Sequence, residues 1–307
     1  MSAPVFVTSN YSDFYGSGML PVLQEIFKGE LKMHEGKREK LFRMRKSRNG
    51  LYQYSEIHDM PLHSQIAEGT QYSFNKPSQG ADKTLQVVKF GLGASISDES
   101  IRDAKFDVVA DIIRKMAKSA SESREVQAMN IFNNAFSSET TADGLAICHA
   151  SHTLPSGRTF RNKLSTDADL SQSSLDSAIS DCETEFVGDT GIKYVMKPKI
   201  LLVHSDSRRY AQELLGSDRK PDSMDNNLNS LKGEGIMVVS SAHLTDTDAW
   251  FLLADKEETG LTVVEDYGIQ TKGWEDEDTD SVKYKSRYRE KIGCMHPYGI
   301  FGTSGAT

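Results

Sequence analysis

The longest stretch of helical periodicity lies between residues 107 and 136. Asp107–Phe136 contains neither Gly nor Pro and is rich in Ala, Lys, Arg, Glu and Met. Apolar residues at helical spacing form a stripe near both ends of the stretch, made by Val109, Ile112, Ile113, Met116 and Ala120 and then by Ile131, Phe132, Ala135 and Phe136. Lys118–Arg124, between them, is small and polar. The pattern predicts one helix of about 45 Å. It either crosses a mixed surface of its own domain or forms a spine whose middle meets other subunits.

Before this helix, two alternating patterns predict strands. Leu51–Tyr54 is the first, and Leu85–Ser97 is the second, with one shared face formed by Gln86, Val88, Phe90, Leu92, Ala94 and Ile96. Glu68–Lys83, between the strands, is rich in Gly, Pro, Ser and Asn. We therefore expect a long exposed hairpin that points away from the core. Such a long connection is unusual unless it is functional or disordered.

The clearest strand pattern lies near the C-terminus. Val282, Tyr284, Ser286 and Tyr288 alternate with four basic residues, Lys283, Lys285, Arg287 and Arg289. Leu261–Trp274 supplies a partner strand, and the acidic run Glu275–Asp280 connects the two. The pattern predicts a long hairpin with one cationic face and an acidic tip.

The remaining patterns are shorter and predict an α+β fold with a small mixed sheet. Two helices are predicted, Leu170–Phe186, capped by Ser171 or Ser173, and Ser205–Leu215. Three buried strands are predicted at Lys199–His204, Ile236–Ser240 and Trp250–Ala254. Irregular connections are expected at Ala142–Phe160 and Gly216–Gly235. At the N-terminus, a polar arm, residues 1–18, precedes a short amphipathic helix, Met19–Leu31, that packs on its own body or on a neighbour.

Composition narrows the class of protein. A chain of 307 residues holds one large domain or two ordinary ones. The net charge of −8 argues against a protein devoted to gripping nucleic acid. The basic segment Lys37–Arg48 is either a solvated surface or a contact for phosphate or an acidic neighbour. No transmembrane run or signal peptide is evident, and the three cysteines lack metal-like or paired spacing. We expect a soluble intracellular protein with free thiols.

No constellation of residues in the sequence predicts catalysis. Asp276, Asp278 and Asp280 imitate the start of a calcium loop, but Ser281 and Arg287 stand where the loop needs glycine and glutamate. Cys148, His149 and His152 are close in sequence, yet no second ligand pair has zinc-like spacing. Phosphate-binding, dinucleotide-binding and hydrolase motifs do not occur. The sequence therefore predicts neither an enzyme nor a metal or cofactor site.

The order of several short runs resembles that of a known family. These runs are Ile66–Gly69, Leu85–Ser97, Ser97–Ile101, Asp143–Leu145 with His149 and His152, Lys199–Val203, Ser240–Leu253 and Tyr288–Gly293. Over nearly the whole chain they resemble the major capsid (major head) protein of tailed bacteriophages, which has the Hong-Kong-97-type capsid fold. The specificity lies in their order, because members of the family share little sequence.

The resemblance implies a division of the chain. It consists of an N-terminal arm (1–36), a basic connecting segment (37–49), an extended loop over a neighbouring subunit (50–85), a peripheral-domain strand and spine helix (85–141), an axial domain (142–260), a peripheral-domain hairpin (261–291) and a C-terminal tail that returns to the axial domain (292–307).

The resemblance also implies a structural function. Hexamers and pentamers would close into an icosahedral head around double-stranded DNA, contacted weakly and non-specifically. A separate scaffolding protein, a portal protein at one vertex and decoration or cement proteins would be partners, without a membrane. Assembly would take place in the bacterial host cytoplasm, and the product would be the virion capsid. Two alternatives are an encapsulin-like nanocompartment shell and an ordinary two-domain enzyme.

Candidate intersubunit contacts follow from the charge pattern and the expected geometry. They are Glu68, Lys76 and Lys83 on the loop, Arg124 on the spine helix, Glu275, Asp276 and Asp278 at the acidic tip, and Lys283, Lys285, Arg287 and Arg289 on the basic strand. The tip and the basic strand face are expected to pair across subunits, where charge pairs fix register more than they add affinity. Lysine–asparagine cross-linking, known in some members of the family, is not expected, because the chain offers no matching context for the partner asparagine.

Overall fold

The computed structural model describes residues 19–33, 36–47, 49–72, 74–76, 79–97, 106–219, 228–276, 278–279 and 281–306. The predicted arm at residues 1–18 lies outside these ranges, as do Glu277 and Asp280 of the acidic tip and part of the predicted Gly216–Gly235 linker.

Helices and strands alternate along the described chain. The helices are α1 (Met19–Met33), α2 (Arg38–Leu41), α3 (Phe106–Asn133), α4 (Gln172–Thr184) and α5 (Arg208–Gly216), with a 3-10 helix at Ser230–Glu234. The strands are β1 (Arg43–Lys46), β2 (Leu51–Ile57), β3 (Gln79–Gln86), β4 (Val88–Ser97), β5 (His152–Thr153), β6 (Thr159–Phe160), β7 (Ile200–His204), β8 (Met237–Ser241), β9 (Trp250–Leu253), β10 (Leu261–Asp276), β11 (Ser281–Cys294) and β12 (Ile300–Thr303).

The predicted long helix is confirmed as α3. Its 28 residues correspond to a length of about 42 Å. The predicted stripe is buried at both ends, with Ile113 and Met116 near the start and Phe132 near the end. The helix ends at Asn133, and turns follow it to residue 138, so its predicted end at Phe136 is three residues too late.

The chain forms two compact units. Unit 1 comprises residues 1–36, 88–125 and 266–290, and unit 2 comprises residues 37–87, 126–265 and 291–307. α3, β10 and β11 contribute residues to both. The division implied by the family resemblance into arm, peripheral and axial domains stays a prediction.

Unit 1 is built on the pairing of β11 with β4. The two strands are antiparallel, from Ser281 opposite Ser97 to Glu290 opposite Val88. Strand alternation turns Val282 and Tyr284 towards the core, where they join Leu23 and Phe27 of α1 and the start of α3. The predicted single strand Leu85–Ser97 is divided between β3 and β4 at Val87.

The predicted apolar face of β4 is covered only in part. Ile96 is buried and Ala94 packs against the core of unit 1, but Val88 and Leu92 are about half exposed. β4 is also the last strand in the described order β1-β10-β11-β4, so it forms an edge of this sheet.

Unit 2 contains a four-stranded mixed sheet in the order β12-β9-β7-β8. β7 and β8 are parallel, whereas β9 runs antiparallel to β7 and to β12. All three predicted buried strands are therefore confirmed, while β12 was not predicted. Residues of one strand alternate between two cores, since Ile200 and Leu202 pack with Phe132 and Phe251 and Leu201 and Val203 pack with Trp250. Cover on both faces explains why these strands are apolar throughout.

The local predictions in unit 2 hold to different degrees. α4 is capped by Ser171, as predicted, and Ser174 completes a capping box. α5 begins at Arg208, after a turn at residues 205–207, which makes the predicted start at Ser205 three residues early. The stretch Ala142–Phe160, predicted to be irregular, contains the short β5–β6 pair.

Candidate assembly surfaces

The strands β2 and β3 form the predicted exposed hairpin, but β3 begins at Gln79, so the end of the predicted loop Glu68–Lys83 is strand. They are antiparallel, from Leu51 opposite Gln86 to Ile57 opposite Gln79. We call the chain between them, residues 58–78, the projecting loop. All of its described residues from Met60 to Lys76 are exposed, and Phe74 is 86% exposed. Leu62 and Tyr72 are also exposed. Several large apolar side chains on one exposed segment are typical of a contact surface.

The three predicted contact residues of this hairpin lie in different surroundings. Glu68 is exposed in a turn beside Gly69, whose φ of 81° suits glycine. Lys76 is exposed as well. Lys83 lies on β3, where its ammonium donates to the carbonyl of Thr140 and burial lowers its pKa. Glu68 and Lys76 therefore face solvent in the single chain, whereas Lys83 is engaged within it.

The predicted cationic face of β11 is confirmed. Lys283, Lys285, Arg287 and Arg289 are partly exposed, while the alternate residues from Val282 to Glu290 are buried. Each of the four basic side chains has an intrachain partner. Lys283 pairs with Asp276, and Arg289 Nη1 lies 3.0 Å from Asp266 Oδ2.

Lys285 and Arg287, in the middle of this face, pack against aromatic rings. The ammonium of Lys285 lies 4.7 Å from the ring centre of Trp274, and the guanidinium of Arg287 lies 5.7 Å from that of Tyr267. Both distances fall in the range of cation–π attraction. At the acidic tip, hydrogen bonds from Lys283 and Thr279 lower the pKa of Asp276, and Asp278 is exposed. The side chain of Glu275 lies outside the described part of the tip.

Arg124, the predicted contact on α3, forms a buried ion pair inside unit 1. Its Nε and Nη2 lie 3.0 Å and 2.7 Å from Oε2 of Glu290. The guanidinium also lies 5.2 Å from the ring centre of Tyr288. Sequence reasoning missed Glu290. A signal was present, because the alternation of β11 places this acid on the same inward face as Tyr284 and Tyr288, and a buried carboxylate needs a partner.

His152, which is close in sequence to Cys148 and His149, belongs to a hydrogen-bond network in unit 2. His152 is buried, with Nδ1 2.6 Å from Asp143 Oδ2 and Nε2 3.1 Å from Asn162 Oδ1. The amide of Asn162 donates to the carbonyls of Ile147 and Pro297, which turns its oxygen towards His152. Burial alone would raise the pKa of Asp143, but hydrogen bonds from His152, Thr141 and the Leu145 N–H lower it. The network fastens the stretch 141–162 to the rest of unit 2.

The cysteines are free thiols, as predicted. Cys148, Cys182 and Cys294 are all buried, and burial raises the pKa of each thiol. Across the described ranges, no three His, Cys, Asp or Glu side chains are placed to hold a metal ion. None of the described helices is long and apolar enough to span a bilayer.

Several solved structures are similar to this chain in fold. The virus-like particle from Pyrococcus furiosus has a TM-score of 0.58 and 12% identity over 93% of this chain and 99% of that one. The capsid of cyanophage P-SCSP1u has a TM-score of 0.59 and 10% identity over 88% of both chains. The mature capsid of bacteriophage PhiM1 has a TM-score of 0.59 and 13% identity, over 88% of this chain and 87% of that one.

The family is shown by the sequence itself. Comparison with curated proteins gives no match, and likeness at 10–13% identity speaks only for the fold. A family model described as phage capsid protein, however, matches residues 80–302, well over half of the chain. This match covers α3, the mixed sheet of unit 2 and the β10–β11 hairpin, and the α+β architecture agrees with it. The chain belongs to the phage capsid protein family, as a major capsid protein with the Hong-Kong-97-type fold.

Proposed function

We propose that this chain assembles as hexamers and pentamers into the icosahedral head of a tailed bacteriophage and encloses double-stranded DNA. The observation that carries the proposal is the projecting loop in a member of the capsid family. Its apolar side chains, among them Phe74, find no cover in the described part of the single chain. Burying one such side chain contributes about 1.5–3 kcal/mol, so contact with a neighbouring copy supplies a driving force for assembly.

The charged hairpin is the second surface in this proposal. Lys285 and Arg287 pack against aromatic rings, which do not neutralise their charge. Both side chains can therefore form ion pairs with the acidic tip of another copy, which includes Asp278. Glu275 and Asp276 belong to the same tip. Lys283 and Arg289, each paired with an intrachain carboxylate, are placed at the edges of the contact. Such pairs set the register between subunits more than they add affinity.

Further partners belong to the same proposal. A scaffolding protein directs curvature, a portal protein occupies one vertex, and decoration or cement proteins bind the finished shell. DNA contacts the wall weakly, because a chain with a net charge of −8 as a whole repels the polyanionic backbone. We propose a structural role without catalysis, with assembly in the host cytoplasm and the capsid in the virion.

An encapsulin-like compartment is the alternative function. The fold likeness to the Pyrococcus furiosus virus-like particle is equal in quality to the phage likenesses, so it does not separate the two functions. The family match favours the phage head. Nuclease-protected double-stranded DNA in purified particles from infected cells supports the head, and protein cargo without DNA supports the compartment.

The role of the loop is tested by replacing its exposed aromatic residues. Tyr72→Ser with Phe74→Ser is expected to abolish shells while leaving the chain folded, because both side chains are exposed in the single chain. Met33→Ser removes a comparably exposed apolar side chain from α1 and serves as the control. Light scattering and negative-stain microscopy report assembly. Normal shells from the doubly substituted chain contradict the proposed role of the loop.

A further inference from the structure

The root of the projecting loop, His58–Asp59, is less exposed than the rest of the loop. His58 is only 8% exposed, although Ile57 before it is 73% exposed and Met60 shortly after it is 49% exposed. At His58–Asp59, therefore, the otherwise exposed loop packs against other residues of unit 2.

The carboxylate of Asp59 contacts a part of unit 2 that is distant in sequence, residues 188–194, which we call the seat. The hydroxyl of Tyr194 donates to Asp59 Oδ1. A Cβ on Gly188 would overlap Asp59 Oδ2. The φ of Gly188 is not in the left-handed region, so the missing side chain provides space and not backbone freedom. Glycine at this position is what lets the carboxylate reach the hydroxyl.

A second glycine makes room for His58. A Cβ on Gly80 would lie 2.7 Å from His58 Nε2, and Gly80 also has no positive φ. Gly80 belongs to β3, the strand that returns from the loop. The two legs of the loop therefore meet at His58, while Asp59 fixes this meeting point to the segment around residue 190.

The seat is attached to the aromatic core of unit 2. The ring of Tyr194 lies 5.3 Å from that of Tyr298, which stacks on Phe160 at 4.9 Å. Burial raises the pKa of Asp59; neighbouring His58 acts in the opposite direction, and the carboxylate of Asp189 adds to the rise. Bringing Asp59 here therefore has a desolvation cost, which the hydrogen bond from Tyr194 offsets.

We propose that His58 and Asp59 form an anchor that fixes the direction in which the projecting loop leaves unit 2. The anchor presents the loop in one orientation in every copy. This part of the inference rests on the proposed function. In the shell, a loop held in one orientation loses less conformational entropy when it contacts a neighbouring copy. Loss of the anchor leaves the loop attached by β2 and β3 but free to swing.

Two substitutions test the anchor in the unassembled chain. Gly188→Ala displaces the Asp59 carboxylate, and Tyr194→Phe removes only the hydroxyl while keeping the ring against Tyr298. Gly29→Ala is the matched control, because Gly29 lies in α1 with nothing within 4 Å of an added Cβ and no positive φ. Hydrogen exchange is followed by mass spectrometry in peptides that cover the root, residues 52–60.

Both anchor variants are expected to exchange about tenfold faster than wild type at the root, as loss of one hydrogen bond to a charged group predicts. The Gly29→Ala control is expected to match wild type. Unchanged exchange in Tyr194→Phe and Gly188→Ala overturns the anchor.

Assembly is measured on the same proteins by light scattering. We expect slower and less uniform shell formation by both variants. Uniform shells at the wild-type rate overturn the role of the anchor in assembly, while the capsid function stands. If the wild-type chain forms no shells at all, the proposed function is contradicted. The hydrogen-exchange data still test whether the anchor holds the loop in the unassembled chain.

Discussion

Removal of Arg124 takes a counter-charge away from the buried carboxylate of Glu290. Glu290 is fully buried and Arg124 is 14% exposed, and two hydrogen bonds of 3.0 Å and 2.7 Å join them. Arg124 also packs over the ring of Tyr288. Breaking a buried pair by removing one partner costs about 3–5 kcal/mol. We expect Arg124→Ala to lower the free energy of unfolding by that amount.

The same helix supplies a matched control. Arg114 pairs with Asp111 at 2.9 Å, but both side chains are about half exposed or more. An exposed pair of this kind contributes at most about 1 kcal/mol. Arg114→Ala makes the same change of residue type in the same helix, so the helix-propensity contribution cancels in the comparison.

Urea unfolding of the unassembled chain, followed by circular dichroism, measures both variants. A third variant, Arg124→Met with Glu290→Met, removes both charges together, and we expect it to recover much of the loss because no charge stays buried. Equal unfolding free energies for Arg124→Ala and Arg114→Ala would refute the reasoning, and so would a double variant less stable than Arg124→Ala.

Three further substitutions test unit 2. Burial raises the pKa of Asp143, but hydrogen bonds from His152, Thr141 and Leu145 together outweigh it and lower the pKa in the folded chain. The ionised carboxylate therefore stabilises the fold above the unfolded pKa of about 3.9, and this stabilisation is lost as the pH falls through the lower folded pKa. Asp143→Asn should be less stable than wild type at pH 7 and converge with it in acid, and a pH-independent deficit in thermal unfolding contradicts this. Phe251→Ala, in the core beside Phe132, should cost about 3–5 kcal/mol in urea unfolding, and a loss below about 1 kcal/mol would place Phe251 outside a close-packed core. Ser171→Ala removes the cap of α4 and should cost about 1 kcal/mol; equal stability of Ser171→Ala and wild type contradicts the cap.

Local periodicity was enough to predict the large elements of the fold. α3 follows from an apolar stripe without Gly or Pro, and β11 follows from strict alternation. β12 was not predictable in this way, because it is only four residues long and contains Gly302. Its pairing with Trp250–Leu253 depends on a contact distant in sequence.

The candidate surfaces were also predictable only in part. Alternation predicted which face of β11 carries the four cations, but tertiary packing decides that Arg124 turns to Glu290 and that Lys83 turns to Thr140. The anchor was beyond sequence reasoning for the same reason. Asp59 and Tyr194 are 135 residues apart, and the seat depends on the missing side chain of Gly188.

The central claim is that this chain builds a shell from copies of itself. Negative-stain microscopy of the protein, expressed alone and then with a candidate scaffolding protein, tests it most directly. The account predicts closed shells or tubes in at least one of the two preparations, and shells only with the scaffold would assign control of curvature to that partner. A well-behaved monomer or dimer in both preparations would contradict the claim.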